Sequence, residues 1–253
     1  MAPQPVFEVS DLTVLRDNSS PLFSNLSLTL APGEVLVVRG VSGSGKTTLL
    51  KCIAELNLYS KGKLKLHGKE STKWGIPEWR IKVAYIPQRP SLLPGTPLDF
   101  LETIRSFSVR LKQKQKAQSD KDGDGNGNGN GQEEGTIDPL DLAQEWGIEK
   151  YLWKRDWGTL SGGEGQRIAL AIAVGIGGAE VLLLDEPTSA IDDETAQKIE
   201  KSLLGMLPSI QGGSHPVNGV RRKGTGPRGL IWITHSAEQA DRVGTRTLDL
   251  SNL

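Results

Sequence analysis

A glycine-rich segment between an apolar run and a helical pattern limits most strongly how this chain can fold. Residues 40–47 read Gly-Val-Ser-Gly-Ser-Gly-Lys-Thr and follow the run Val35–Val38, which is typical of a buried strand. A loop at this place can turn successive backbone N–H groups inward around phosphate oxygens, beside the positive end of the helix dipole. The sequence therefore predicts a phosphate-binding loop whose contact residues are Gly40, Val41, Ser42, Gly43, Ser44, Gly45, Lys46, Thr47 and Thr48.

Two side chains of this loop have specific chemistry. Lys46 is expected to reach the β- and γ-phosphates of a nucleotide, and Thr47 to offer its hydroxyl oxygen to Mg²⁺. The pattern predicts nucleotide binding, but many families share it.

A second segment complements the loop. Residues 181–186 read Val-Leu-Leu-Leu-Asp-Glu, so four apolar residues of a predicted buried strand are followed by two carboxylates. Ligands bind outside the carboxyl ends of strands in open α/β sheets. Asp185 is therefore expected to bind Mg²⁺, directly or through water, and Glu186 to polarise a water molecule against the γ-phosphate as a general base.

Strands and helices alternate along most of the chain. Residues 6–39 are β-rich, and later short apolar runs alternate with helical patterns predicted at 96–109, 138–157, 160–176, 192–207 and 236–242. Uniformly apolar runs are typical of a parallel sheet covered on both faces. The predicted fold class is α/β, a phosphate-loop NTPase.

Composition adds exclusions. The chain has 30 basic and 30 acidic residues, which argues against gripping a nucleic-acid backbone by bulk charge. Its single cysteine cannot form an internal disulfide, and neither an 18-residue apolar run nor a signal-peptide pattern is present. We expect a soluble intracellular chain. Two apolar-poor segments, 112–135 and 209–229, are predicted to be mobile loops.

Further motifs follow in a fixed order. Gln88 ends the sequence Tyr-Ile-Pro-Gln, residues 160–167 read Leu-Ser-Gly-Gly-Glu-Gly-Gln-Arg, Asp192 closes Ser-Ala-Ile-Asp after the acidic strand, and His235 follows the last predicted strand. With the phosphate loop and the acidic strand end, this set resembles the nucleotide-binding subunit of ABC ATPases over nearly the whole chain outside the two apolar-poor segments.

The resemblance implies roles for these positions. Two subunits would pair head to tail around two ATP molecules, so Ser161 and Gly163 would contact the γ-phosphate held by the other copy. His235 would hold the γ-phosphate and the attacking water, and Gln88 would sense Mg²⁺ and the γ-phosphate. Asp192 would lie at the dimer interface. Catalytic residues are thus expected to be Glu186, His235 and Gln88, and metal-binding residues Thr47, Gln88 and Asp185.

The resemblance also implies an architecture. A single ABC ATPase domain, 1–253, would have a mostly parallel core sheet, an antiparallel β subdomain and a helical subdomain. The expected parts are a β-rich core with the phosphate loop at 1–88, a helical subdomain at about 89–165 and a second core half at 166–253.

Three positions depart from the family pattern. No aromatic residue stands near the end of the first strand to stack on adenine, which leaves Arg16 as a stacking candidate or as a plain surface residue. Glu164 stands where Gln is common. Ile172 stands where Arg is usual, with no consequence that the sequence explains.

Two functions remain open from the sequence. The leading one is the ATPase subunit of a membrane transporter, peripheral to the cytoplasmic side of a membrane, whose membrane-spanning subunit is a separate chain. Its layout is similar to export-type ATPases and bacterial metal-export ATPase subunits, and residues 91–101 would help to dock the partner. The alternative is a soluble ABC ATPase of an assembly machine, of the iron–sulfur type. A second copy of the chain is expected as a partner, and nucleic acid is not.

Overall fold

The computed structural model describes residues 4–17, 19–89, 94–107, 137–209 and 226–252. The segment 112–135 and most of 209–229, both predicted to be mobile, lie outside the described residues, as does the start of the docking segment 91–101.

The described elements alternate as the sequence indicates. The strands are β1 (Phe7–Leu15), β2 (Pro21–Leu30), β3 (Val35–Arg39), β4 (Lys61–Leu66), β5 (Lys69–Glu70), β6 (Val83–Ile86), β7 (Val181–Asp185), β8 (Gly229–Ile233) and β9 (Arg246–Asp249). The helices are α1 (Lys46–Ile53), α2 (Ile76–Lys82), α3 (described over 97–107), α4 (Pro139–Glu145), α5 (Gly162–Gly175), α6 (Asp193–Met206) and α7 (Ala237–Val243).

A parallel sheet forms the centre of the molecule. Its strand order is β6-β7-β8-β3-β9, and every pairing between neighbours is parallel. Alternate side chains of β7 lie in different hydrophobic clusters: Leu182 and Leu184 pack with α5, whereas Val181 and Leu183 pack with α1. Both faces of the sheet are therefore covered, which explains the continuous apolar runs.

A smaller antiparallel sheet, in the order β2-β1-β4-β5, covers the α1 side. Phe7 and Val9 of β1 are buried, but the buried positions then shift to Leu12 and Val14. Asp11 between them has a left-handed φ of 51°, and the strand register shifts there. A β-bulge thus re-aims the second half of β1 so that both halves contribute to one core.

The region around α4 corrects one prediction. The expected helix over 138–157 ends at Glu145, since Gly147 adopts a left-handed φ of 77° and two 3₁₀ turns follow. The tryptophans Trp146, Trp153 and Trp157 are nevertheless buried in the cluster beside α5, as expected for packing residues.

The carboxyl ends of the parallel strands β3, β6, β7 and β8 lie at one edge of the sheet. The residues predicted from the phosphate loop, the acidic strand end, Gln88 and His235 lie at this edge: most are in the loops that follow these strands, Asp185 is the last residue of β7, and residues 46–48 form the first turn of α1. The topology therefore assembles the candidate site from segments far apart in sequence.

Candidate nucleotide site

The glycine-rich loop joins β3 to α1. Gly45 caps α1 with a left-handed φ of 96°, and a Cβ atom there would stand 2.9 Å from the side chain of Leu22 and 3.2 Å from Phe23. Only glycine satisfies both the backbone conformation and the close approach of β2. The loop is thereby pressed against the antiparallel sheet, with the start of α1 directly behind it.

Lys46 extends along the inside of this loop. The side chain is buried, and its Nζ donates hydrogen bonds to the carbonyl oxygens of Gly40, at 2.8 Å, and Val41, at 3.0 Å. The buried hydroxyl of Ser44 has no hydrogen-bond partner among the described residues. An ammonium group, an uncommitted hydroxyl and the start of α1 thus converge at one place, which suits an anion.

Asp185 lies at the carboxyl end of β7 and faces the start of α1. Its Oδ1 accepts a hydrogen bond from the Thr47 hydroxyl at 3.2 Å, and its Oδ2 accepts one from the Tyr85 hydroxyl at 2.8 Å. Burial and the contact with this carboxylate raise the pKa of Tyr85, so the phenol stays a donor. The sequence did not predict a role for Tyr85. Its position three residues before Gln88, near the end of β6, is the feature that could have indicated one.

Glu186 follows directly and stands between two of the predicted catalytic residues. Its Oε2 accepts a hydrogen bond from the Gln88 amide at 2.7 Å, and its Oε1 lies 3.0 Å from Nε2 of His235. The Glu186 side chain is 20% exposed and that of His235 is 57% exposed. The carboxylate therefore reaches solvent at the edge of the sheet while two neighbours fix its direction.

The Glu186 backbone is itself unusual. Its φ of 49° lies in the left-handed region, which non-glycine residues seldom adopt. Its N–H donates to the carbonyl of Ile233 at 3.1 Å, so the end of β7 stays paired to β8 through the turn. This conformation turns the side chain out of the strand and toward the loops that follow β6 and β8.

The segment 160–167 begins α5. Ser161 caps the helix and forms a capping box with Glu164, and these hydrogen bonds lower the pKa of the Glu164 carboxyl. A Cβ atom at Gly163 would stand 2.8 Å from the carbonyl oxygen of Ala190, so the helix start packs against the turn after Glu186. Asp192 ends that turn and caps α6 through the N–H of Thr195, a contact that lowers its pKa.

The predicted residues thus fall into two sets: those that the structure brings together at the phosphate loop, and those that lie apart from it in the same chain. The structure joins Lys46, Thr47 and Asp185 at the loop, and Gln88, Glu186 and His235 beside it. Ser161 and Asp192 are exposed, and within the described residues no hydrogen bond links either of them to residues 40–48 of the same chain.

Sequence reasoning missed Gln166, a buried residue in the first turns of α5. Its Nε2 donates to the backbone carbonyls of Gln88, at 2.9 Å, and Glu186, at 3.1 Å, while its Oε1 accepts from the N–H of Ala190 at 3.2 Å. It stands in the same short motif as Ser161, but the motif gives no indication that its side chain turns toward the chain's own loops.

A buried polar network behind the site was also missed. Glu200 of α6 accepts hydrogen bonds from Gln239 and Arg242 of α7, and Gln239 also donates to Thr188. A cavity of about 240 Å³ lies between this network and Glu186, and its lining includes His235. The network fixes α7, which follows His235, against α6, which follows Asp192.

Two departures from the family pattern are explained in part. Glu164 serves the capping box, and Ile172 is buried in the hydrophobic cluster that covers one face of the parallel sheet. Arg16 is exposed at the turn between β1 and β2, and its stacking role stays a prediction.

Comparisons with known proteins identify the family and the fold. The family described as "ABC transporter" matches residues 23–189. The "Probable ABC transporter ATP-binding protein p29" of Mycoplasma pneumoniae is 28% identical, over 96% of this chain and 88% of the relative. The "Putative ABC transporter ATP-binding protein YjkB" of Bacillus subtilis is 30% identical, over 83% of this chain and 68% of its own length.

A solved structure shares the fold. The ATP-binding cassette MJ0796, in a dimeric post-hydrolysis state bound to ADP and Pi, superposes with a TM-score of 0.67 at 22% identity. The match covers 96% of this chain and 93% of that one. In the part of the chain that the structure describes, every helix is too short or too polar for a membrane span.

Proposed function

This chain belongs to the ABC transporter family as an ATP-binding and ATP-hydrolysing domain, and on that premise we propose how its residues divide the work. The observation that carries the proposal is the position of Glu186, held between Gln88 and His235 beside the phosphate loop. The same edge of the sheet thus has a cationic cradle for phosphates and a carboxylate that can accept a proton from water.

Residues 40–48 bind the ATP phosphates. Lys46 already points into the loop, where it donates to two backbone carbonyls and can transfer those hydrogen bonds to the β- and γ-phosphate oxygens. The Ser44 hydroxyl, unpartnered within the described residues, supplies a further donor. Backbone N–H groups of Ser42, Gly43, Gly45 and Thr48 complete the set of contacts proposed from the loop's motif. The Val41 N–H donates to the Ser251 hydroxyl at 3.2 Å and would have to leave that partner to join them.

The residues beside the loop fit Mg²⁺. Thr47 and Asp185 present oxygen atoms 3.2 Å apart, and Gln88, whose amide nitrogen contacts the adjacent Glu186, would add its amide oxygen; these are the ligand types that a hard cation prefers. Within the described residues, no group of three or more His, Cys, Asp or Glu side chains forms a metal cage. That suits Mg²⁺, which usually takes one or two carboxylates together with phosphate oxygens. When bound, the ion would neutralise charge on the β- and γ-phosphates.

Glu186 acts as the general base. Its carboxylate accepts the proton of the attacking water, and the hydrogen bond from Gln88 holds one oxygen so that the other faces His235. His235 is more exposed than Glu186 and can contact the γ-phosphate and the water together. Gln88 lies in the loop after β6 and is proposed to contact Mg²⁺ and the γ-phosphate. Loss of the γ-phosphate would therefore change the contacts of that loop.

A second copy of the chain completes the site. Ser161 and Gly163 lie at the start of α5, a helix of 14 residues whose N-terminal dipole favours an anion. Ser161 and Asp192 are exposed, and within the described residues neither is hydrogen-bonded to residues 40–48 of the same chain. Head-to-tail pairing would bring them to the ATP held by the partner. The dimeric state of the fold relative MJ0796 supports this arrangement.

The work done by ATP hydrolysis is transport. Both named relatives are described as ABC transporter ATP-binding proteins, which favours a transporter over the assembly-machine alternative. We therefore propose a membrane-spanning partner and a location on the cytoplasmic side of a membrane. The names of these two relatives give no direction of transport, whereas other relatives are named as import ATP-binding proteins, so the export-type and metal-export likeness stays an untested prediction.

The ATP-sandwich part of the proposal is tested by size-exclusion chromatography. With ATP, the Glu186→Gln variant should elute as a dimer because hydrolysis no longer removes the γ-phosphate that bridges the two copies. Lys46→Ala is the matched control, since weakened nucleotide binding should leave it monomeric under the same conditions. A dimer that forms equally in both variants, or without ATP, would contradict the proposal.

The transport part is tested by affinity capture of the tagged chain. Detergent-solubilised membranes and the soluble fraction are processed in parallel and the captured proteins are identified by mass spectrometry. The proposal predicts a multi-spanning membrane protein in the membrane sample. Recovery of soluble assembly factors alone would favour the alternative.

A further inference from the structure

One buried side chain touches three segments of the candidate site at once. Gln166 of α5 contacts the loop after β6 at Gln88, the end of β7 at Glu186, and the turn before α6 at Ala190. The three contacts span 2.9–3.2 Å and all are to backbone atoms. Both amide hydrogens and the amide oxygen are therefore used, and the side chain has one orientation that satisfies them.

Two of these backbone contacts belong to residues whose side chains are hydrogen-bonded to each other. Gln166 donates to the carbonyls of Gln88 and Glu186, and the Gln88 amide donates to the Glu186 carboxylate at 2.7 Å. Fixing the two peptide groups from one amide nitrogen therefore fixes the distance between the two loops. The left-handed backbone of Glu186 is strained, so it needs support from its neighbours. Its N–H is bound to the carbonyl of Ile233, and its own carbonyl accepts the hydrogen bond from Gln166.

The neighbouring residue anchors α5 in a different direction. Arg167 donates from Nε to the carbonyl of Gly163 and from a terminal nitrogen to the carbonyl of Trp146 at 2.9 Å. Consecutive residues thus tie the start of α5 to the region around α4 on one side and to the catalytic edge on the other. A shift of the helix start would therefore strain the hydrogen bonds from Gln166 to the carbonyls of Gln88 and Glu186.

We propose that Gln166 is a positioning residue that links the α5 start, where Ser161 and Gly163 lie, to Gln88 and Glu186 of the same chain. The proposal rests on the proposed function of this site. In the proposed dimer, ATP bound to one copy contacts the start of α5 in its partner. Gln166 of the partner would then communicate that contact to Glu186 of the same partner chain. Each copy would then hydrolyse its ATP efficiently only when its α5 start is engaged.

The test compares Gln166→Met, which removes the amide at similar volume, with Gln166→Glu, which keeps an acceptor for Ala190 but loses both donors. We expect kcat for ATP hydrolysis to fall about tenfold in Gln166→Met and further in Gln166→Glu, because a carboxylate would oppose two carbonyls. The KM for ATP should stay within about twofold, since residues 40–48 are untouched. The same Gln→Met change at Gln144, exposed on α4, serves as the control and should leave kcat unchanged.

The possible outcomes distinguish a failure of the positioning role of Gln166 from a failure of the proposed function on which it rests. Wild-type kcat in Gln166→Met would overturn the positioning role, and so would a loss of ATP binding or of the folded state, since either would make Gln166 a packing residue. Glu186→Gln is assayed in the same series. If that variant hydrolyses ATP normally, the proposed function fails; if it is inactive while Gln166→Met is normal, only the positioning role fails.

Discussion

Glu186 lines a cavity and Glu200 lies behind two of its lining residues, Gln239 and Arg242, but the two carboxylates have opposite surroundings. Glu186 directly follows β7, reaches solvent, and contacts Gln88 and His235. Glu200 is buried in α6, where Arg242 donates to both of its carboxylate oxygens and Gln239 donates to Oε1. A carboxylate neutralised by an arginine holds structure together, whereas one held by an amide and an imidazole keeps an oxygen ready to accept a proton. We propose that this difference in partners, more than in position, gives Glu186 a catalytic and Glu200 a structural role.

The comparison extends to two other glutamates. Glu180, just before β7, pairs with His67 and Lys82, and Glu194 on the surface of α6 pairs with Lys198. A single substitution, Glu→Gln, removes the charge at each of the four positions with little change in shape. The change in kcat and in unfolding stability should then depend on the partners and the exposure of each carboxylate.

Glu186→Gln should have the largest effect. An amide cannot accept the proton of the attacking water, so kcat should fall on the order of 10³-fold, about 4 kcal/mol in activation free energy. The unfolding temperature and ATP affinity should stay close to those of the wild type. Steady-state phosphate release and an ATP-binding titration check this, and a loss of ATP affinity equal to the loss of kcat would contradict it.

Glu200→Gln should destabilise the fold by about 2 kcal/mol, because Arg242 loses its counter-charge beside a buried side chain. The value lies below that of a fully buried pair since Arg242 is partly exposed. Urea unfolding measures the change, and the kcat of the folded protein should be preserved. A tenfold fall in kcat without destabilisation would move Glu200 into the catalytic set.

Glu180→Gln should cost about 1 kcal/mol at pH 7. Burial raises the pKa of Glu180, but hydrogen bonds from His67 and Lys82 outweigh it and lower the pKa below its usual 4.5. The stability that this charge contributes is therefore present above pH 4.5 and is lost as the pH falls through the lowered pKa. Urea unfolding at pH 7 and again below the usual pKa should show the difference between variant and wild type shrinking. A difference that grows on acidification would refute the pairing.

Glu194→Gln should have the smallest effect. Its side chain is 82% exposed, and solvent screens its contact with Lys198. No measurable change is expected in kcat, and the unfolding midpoint should fall only slightly, because Glu194 also lies in the first turn of α6, where the helix dipole favours a negative charge. A clear destabilisation would show that surface charge on α6 matters more than the comparison of surroundings implies.

The sequence predicted the parts of the site whose chemistry is local. The phosphate loop, the two carboxylates after β7 and the order of the later motifs each lie within a few consecutive residues, so their types and spacing identify them. The parallel sheet was also predicted, because buried strands require continuous apolar runs. The residue roles stay proposals until the variants are measured.

The parts that were missed depend on contacts across the fold. Gln166 reaches a carbonyl 78 residues away, and Gln239 reaches Glu200 across 39 residues. Such contacts form only once the elements are packed, and neither a Gln nor a Glu at a helical position indicates which way it faces. The helix predicted over 138–157 failed for a local reason, since the left-handed Gly147 ends it early.

The most direct test measures kcat and the urea unfolding midpoint in the same preparations of Glu186→Gln and Glu200→Gln. We predict opposite results for the two variants. Glu186→Gln should lose ATP hydrolysis and keep its urea unfolding midpoint, whereas Glu200→Gln should keep ATP hydrolysis and unfold at a lower urea concentration. Normal ATP hydrolysis by Glu186→Gln would contradict the account.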